Sequence, residues 1–230
     1  MTNYQEEFRQ SLENIEQLVE LPALIQQSVL EILAKVDHAK LSYLENQATQ
    51  NAYDLIAGIE SGSLKSSYKI IYNQVCILAV STLSAYLEKY FQEFATYNLD
   101  KLNSLALDKI KVTLLEAFNL SSNISNIGSL ITDKDGGINF QDLQSILKSF
   151  NEYLGKNIVP DDATRNKIIF YQHCRHLLVH NNGIINQYFL DKVGQSNLKS
   201  YKIDDLIQLD QDDWINIKQS FTELYRLITR

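Results

Sequence analysis

Three of the chain's four histidines fall within eight residues, in the segment Tyr171-Gln-His173-Cys-Arg175-His176-Leu-Leu-Val-His180-Asn-Asn-Gly183. Histidine is the side chain whose unperturbed pKa lies nearest neutrality, so it can give and take protons under ordinary conditions. Arg175 sits inside the cluster, and a guanidinium offers paired N–H donors that match a phosphate. From Ala163 to Leu190 there is no Asp or Glu, although the chain as a whole carries a net charge of −7. Arg165, Lys167, Arg175 and the histidines therefore form a locally basic segment suited to proton transfer beside a bound anion.

On an ideal helix, His173, His176 and His180 lie within about 60° of one another and share a face. Arg175 lies about 140° around from His180 by the same geometry. One helix then aims the two at a single point only if the long arginine reaches round, if the helix ends early, or if a second copy crosses it in a symmetric dimer. Taken singly, each histidine reads as an ordinary surface or half-buried residue; three with an arginine in an acid-free stretch read as a site. A metal centre is disfavoured. His173 and His180 stand about 10 Å apart along the helix axis, too far to share one ion, and only His38 and Cys76 remain as outside ligands beside the adjacent Cys174. No metal and no cofactor are expected.

The elements that must position these residues are helical. The chain has 230 residues, 45% of them hydrophobic, with 8 glycines and 2 prolines, a composition that favours long uninterrupted helices. Apolar spacing predicts helices over 4–19, from Pro22 to about Ile59, over 66–98 and over 102–118. A turn at 61–63, a loop at 121–128 continuing to Ile138, and a helix over 140–154 follow. Asp161 or Asp162 is placed to cap the helix bearing the histidines, which should stop near Asn182-Gly183. Residues 184–209 carry no clear pattern. Asp210 is placed to cap a final helix whose Trp214, Ile217, Phe221, Leu224, Tyr225 and Ile228 form one stripe. The expected fold is all-α, a single domain with residues 1–62 as a helical extension on a core of residues 66–230.

The acidic balance argues against a protein that coats nucleic acid through a broad basic surface. Cys76 and Cys174 read as free, buried thiols of a reducing compartment. No secretory signal is visible at the N-terminus. The apolar run from Ile70 to Leu87 is interrupted by Tyr72, Asn73, Gln74, Ser81, Thr82 and Ser84, which reads as too polar for a membrane span. A cytoplasmic protein is expected. Asp133-Lys-Asp135-Gly136-Gly-Ile138 hints at a calcium loop, but Ile131 would fall at the first ligand position and Asp142 at the last, so a turn before a capped helix is the better reading. No P-loop, dinucleotide glycine pattern, Gly-x-Ser-x-Gly or Cys-x-x-Cys is present.

Arg175-His176-Leu-Leu-Val-His180 resembles the signature of the HEPN superfamily, an arginine followed after four to six residues by a histidine, often with Asn, Asp or His directly after the arginine. The following Asn-Asn-Gly-Ile-Ile is similar to the flank of several prokaryotic groups of that family. Leu83-Ser-Ala-Tyr-Leu-Glu88-Lys-Tyr-Phe-Gln-Glu-Phe94 is similar to their second core helix with its Tyr/Trp-x-Glu pattern. The resemblance spans 66–230. It implies a helical bundle that forms a homodimer through the motif helices. Many such proteins are metal-independent endoribonucleases of toxin–antitoxin or anti-phage defence systems, so RNA and a cognate antitoxin become expected partners, with no membrane and no DNA.

The chemistry also follows from the residues. RNA can be cut by its own 2′-hydroxyl attacking the adjacent phosphate. His180 supplies the proton transfer, Arg175 steadies the charge on the phosphorane, and His176 supports His180. Glu88 and His173 are supporting candidates, Glu88 by orienting a histidine or the arginine. The competing reading is a non-catalytic interaction or RNA-binding protein of the same fold.

Overall fold

The computed structural model describes residues 4–35, 63–103, 127–134, 138–193 and 199–230. Among them lie seven α-helices and a single isolated bridge, so the fold is all-α as expected. The rest of the expected helix to Ile59 (36–59), most of the expected helix over 102–118, the first six loop residues 121–126, and Asp135 to Gly137 of the calcium-like segment lie outside the described residues.

Helix α1 (Tyr4–Lys35) buries Phe8, Leu12, Ile15 and Val19 at helical spacing. It runs straight through Pro22, which the sequence placed at the start of a new helix. Leu21, Ala23 and Leu24 around the proline are strong helix formers, and no turn residue stands nearby to exploit the lost N–H bond. Helix α2 (Ser63–Tyr97) is the centre of the molecule and packs against α1. Its segment Lys69–Tyr97 is long and apolar enough to cross a membrane by length and composition, contrary to the reading of the polar interruptions, with 39% of the apolar window buried. In this fold Val75, Cys76, Val80, Leu83, Leu87 and Phe91 face neighbouring helices and form the core.

A short 3-10 turn, Leu99–Lys101, leads to Leu102 and Asn103, which are not helical. Helix α3 (Ile127–Lys134) occupies positions expected to be loop. Tertiary contact with α2 supplies what local propensity lacks. Gly128 lies so close to α2 that a Cβ there would stand 2.0 Å from the Gln92 carbonyl oxygen, its N–H donates to Thr96 Oγ1 (3.2 Å), and Gln92 Nε2 donates to Thr132 Oγ1 (3.0 Å).

Helix α4 (Leu143–Leu154) is capped by Asp142, whose carboxylate accepts from the Ser145 N–H (2.7 Å), and it ends at left-handed Gly155. Helix α5 (Asp162–His180) carries the histidines. Of the two aspartates considered, Asp161 is its cap, accepting from the N–H and hydroxyl of Thr164 at 2.9 and 2.7 Å. The chain leaves α5 through Asn182 and Gly183, both at positive φ, and Gly183 N–H closes back on the Leu177 carbonyl (3.0 Å).

The unassigned stretch resolves into helix α6 (Gln187–Val193) and a return segment bridged by Ile184 and Leu206. Helix α7 (Gln211–Thr229) starts with a capping box between Asp210 and Asp213, and its expected apolar stripe from Trp214 to Ile228 is buried. Helix α5 packs against α2, α7 and α6, which fixes its two faces in different surroundings.

Candidate functional site

The face of α5 toward α2 and α7 is closed. Cys76 and Cys174 are free and fully buried there, and burial pushes both thiols well above the ordinary range. Tyr171 donates its hydroxyl to Asp213 Oδ1 (3.2 Å). Lys199 pairs with the same carboxylate and with Asp210 Oδ2 (2.9 Å). Burial raises the Asp213 carboxyl even though Lys199 opposes it. Each carboxylate also serves the capping box, Asp213 Oδ2 accepting from the Asp210 N–H at 2.8 Å.

The other face of α5 is open. His176 and His180 are exposed, one turn apart, with ring centroids 4.8 Å from each other and planes inclined at 48°. The pair that helical spacing joins is thus joined in space. Beside it lies a cleft of about 220 Å³ lined by Asn139, Gln141, Asp142, Gln172, His173, Arg175, His176 and Tyr188. Arg175, expected about 140° around from His180, lines this cleft with His173 and His176. His173, expected as a supporting candidate, lines this cleft and the adjoining one of about 200 Å³, which Asn166, Ile169 and Lys192 help to form. His180 stands at the rim through its contact with His176 and is not a lining residue.

Tyr188 of α6 is the residue that sequence reasoning missed. Its ring meets His173 edge-on at 5.9 Å and His176 at 6.4 Å, and Lys192 Nζ stands 5.6 Å from the ring centroid. Only its place shortly after Asn-Asn-Gly could have drawn attention to it. Asp142 and Gln172 were missed as well. Gln172 Oε1 accepts the N–H of Leu143, the first residue of α4, at 3.0 Å, tying α5 to the start of α4. That bond assigns the amide orientation, because the backbone N–H needs an oxygen. Gln172 Nε2 and Arg175 Nε are both buried and have no hydrogen-bond partner. A buried donor left unpaired costs about 1–3 kcal/mol, and the two residues that carry these donors both line the cleft.

Burial holds the His173 imidazole below the ordinary histidine range; Lys192 and His176 act in the same direction and Asp142 opposes them. Glu88 accepts from Gln92 Nε2 on its own helix (3.3 Å) and is not among the cleft residues. Among the described residues, no group of three or more His, Cys, Asp or Glu is placed to hold a metal ion. No protein-family model, curated protein or solved structure matches the chain.

Proposed function

We propose that the chain is a HEPN-type endoribonuclease that cleaves RNA without a metal, acting as a homodimer in the cytoplasm, within a toxin–antitoxin or defence system. The observation that carries this reading is the exposed imidazole pair His176–His180, 4.8 Å between ring centroids, with Arg175 in the cleft that His176 lines. One imidazole, neutral, takes the proton from a ribose 2′-hydroxyl as the 2′-oxygen attacks the adjacent phosphorus. The other, protonated, gives its proton to the departing 5′-oxygen as the P–O5′ bond breaks. The products are a 2′,3′-cyclic phosphate and a 5′-hydroxyl. Arg175 stabilises the phosphorane, whose negative charge exceeds that of the ground state.

The homodimer is supported by exposed apolar residues at and after the end of α5: Val179 on the helix, and Ile184 and Leu206, which the isolated bridge pairs. The same exposed residues also favour a second reading, a non-catalytic interaction protein whose partner, such as a cognate antitoxin, covers them. The net charge of −7 weighs against tight binding of RNA irrespective of sequence.

Incubation of the purified chain with RNA in excess chelator separates the two readings. The nuclease leaves cyclic phosphate ends and spares DNA and RNA carrying a 2′-deoxy sugar at the cut site. Intact RNA, with the protein recovered as a stable complex with a second protein, supports the interaction reading instead.

A further inference from the structure

The cleft beside the imidazole pair has the wrong lining for a phosphate alone. Besides His173, Arg175 and His176 it presents a carboxylate, Asp142, three side-chain amides, Asn139, Gln141 and Gln172, and an aromatic ring, Tyr188. A carboxylate repels an anion. Amides and a carboxylate around a ring instead suit a flat, uncharged group with both donors and acceptors on its edge, which describes a nucleobase.

One unpaired donor and one carboxylate stand at this cleft. Gln172 is 8% exposed, and its Nε2 is buried without a partner beside the cleft. Its other amide atom is committed to Leu143 N–H, so the amide cannot turn over to satisfy itself. Asp142 uses Oδ1 to cap α4 and retains acceptor capacity for more N–H groups. An amide donor next to a carboxylate matches one base better than the others. Guanine presents two neighbouring N–H donors, N1–H and the N2 amino group, to a single carboxylate, with the O6 acceptor alongside.

We propose that this cleft is a guanine subsite, in which Asp142 accepts from N1–H and N2–H, Gln172 Nε2 donates to O6, and the Tyr188 ring packs on the base. The inference rests on the RNA-cleaving reading of the same site and deepens it. Because His176 lines the same cleft, the cut should fall next to a guanosine. Asp142 is held by its cap on Ser145 N–H, and the next residue, Leu143, is tied to Gln172.

The test is binding of GMP, AMP, CMP and UMP to the whole protein by titration calorimetry, repeated on Asp142→Asn and Tyr188→Ala. Asparagine caps a helix about as well as aspartate, so Asp142→Asn keeps α4 while removing the double acceptor; its thermal midpoint verifies this. The wild type should favour GMP by about tenfold or more, the discrimination that a good bidentate pair gives. Asp142→Asn should bring the four nucleotides within about twofold of each other, and Tyr188→Ala should weaken all of them together. Equal binding of the four by the wild type, binding of none, or a guanine preference that survives Asp142→Asn overturns the proposal. The two readings fail separately. GMP preference in a protein that never cuts RNA defeats the nuclease alone, and cutting that ignores base identity defeats the subsite alone.

Discussion

The two faces of α5 solve opposite problems. On one face Tyr171, Lys199, Asp210 and Asp213 form a half-buried polar network closed by hydrogen bonds and ion pairs. On the other, beginning one residue later, Gln172, His173, Arg175 and His176 line an open cleft in which two buried donors lack partners. A closed network is part of the fold, because opening it exposes the full desolvation cost of its members. An open one contributes little to the fold and is available to a ligand. Unpaired buried polar atoms also occur singly at Trp214, Tyr201 and Tyr225. What sets the cleft apart is that two of them belong to residues lining one cavity next to paired imidazoles.

This contrast predicts that substitutions on the two faces separate activity from stability. The largest effect belongs to the open face. Arg175→Ala should lower the RNA cleavage rate by about 10²–10³-fold, the usual loss for one transition-state donor, while the denaturation midpoint shifts by no more than about 1 kcal/mol in stability. A stability loss matching the activity loss would erase the distinction between the faces.

The closed face should behave in the reverse manner. Asp213→Leu leaves Lys199 without its principal partner and the Tyr171 hydroxyl without an acceptor, and should cost about 3 kcal/mol in urea denaturation. At temperatures where the variant stays folded, its cleavage rate should match the wild type. An unchanged midpoint would show that the network is not structural.

The smallest effect is the pH dependence set by His173. Burial depresses its folded-state pKa below the ordinary histidine value. Between those two values the unfolded chain holds a proton that the folded chain does not. Its contribution is therefore fully present above the ordinary histidine pKa and is lost as pH falls through the depressed one. Urea titrations from neutral to mildly acidic pH should show the wild type losing stability, and His173→Gln losing less. Parallel curves would mean that His173 is solvated as an exposed histidine is.

Much of this architecture is legible in the sequence because it is local. The stripe from Trp214 to Ile228, the caps at Asp161 and Asp210, and the stop at Asn182-Gly183 each depend on residues within a turn or two of each other. What was hidden depends on distant partners. Helix α3 exists where loop was expected because Gly128 lets it lie on the α2 backbone. The candidate site divides in the same way. The His176–His180 pair follows from spacing along one helix. The cleft does not, because its far wall comes from Asp142 before α4 and Tyr188 on α6, and only the fold brings those together.

The central claim is that the imidazole pair moves the protons of RNA cleavage. The most direct measurement is the single-turnover cleavage rate of His180→Ala beside the wild type, in chelator, on one RNA, with both proteins shown to melt alike. His180 is exposed and its loss should leave the fold intact. The rate should fall by about 10²–10⁴-fold, the contribution of a positioned general acid or base. Cleavage by His180→Ala at the wild-type rate would contradict the account.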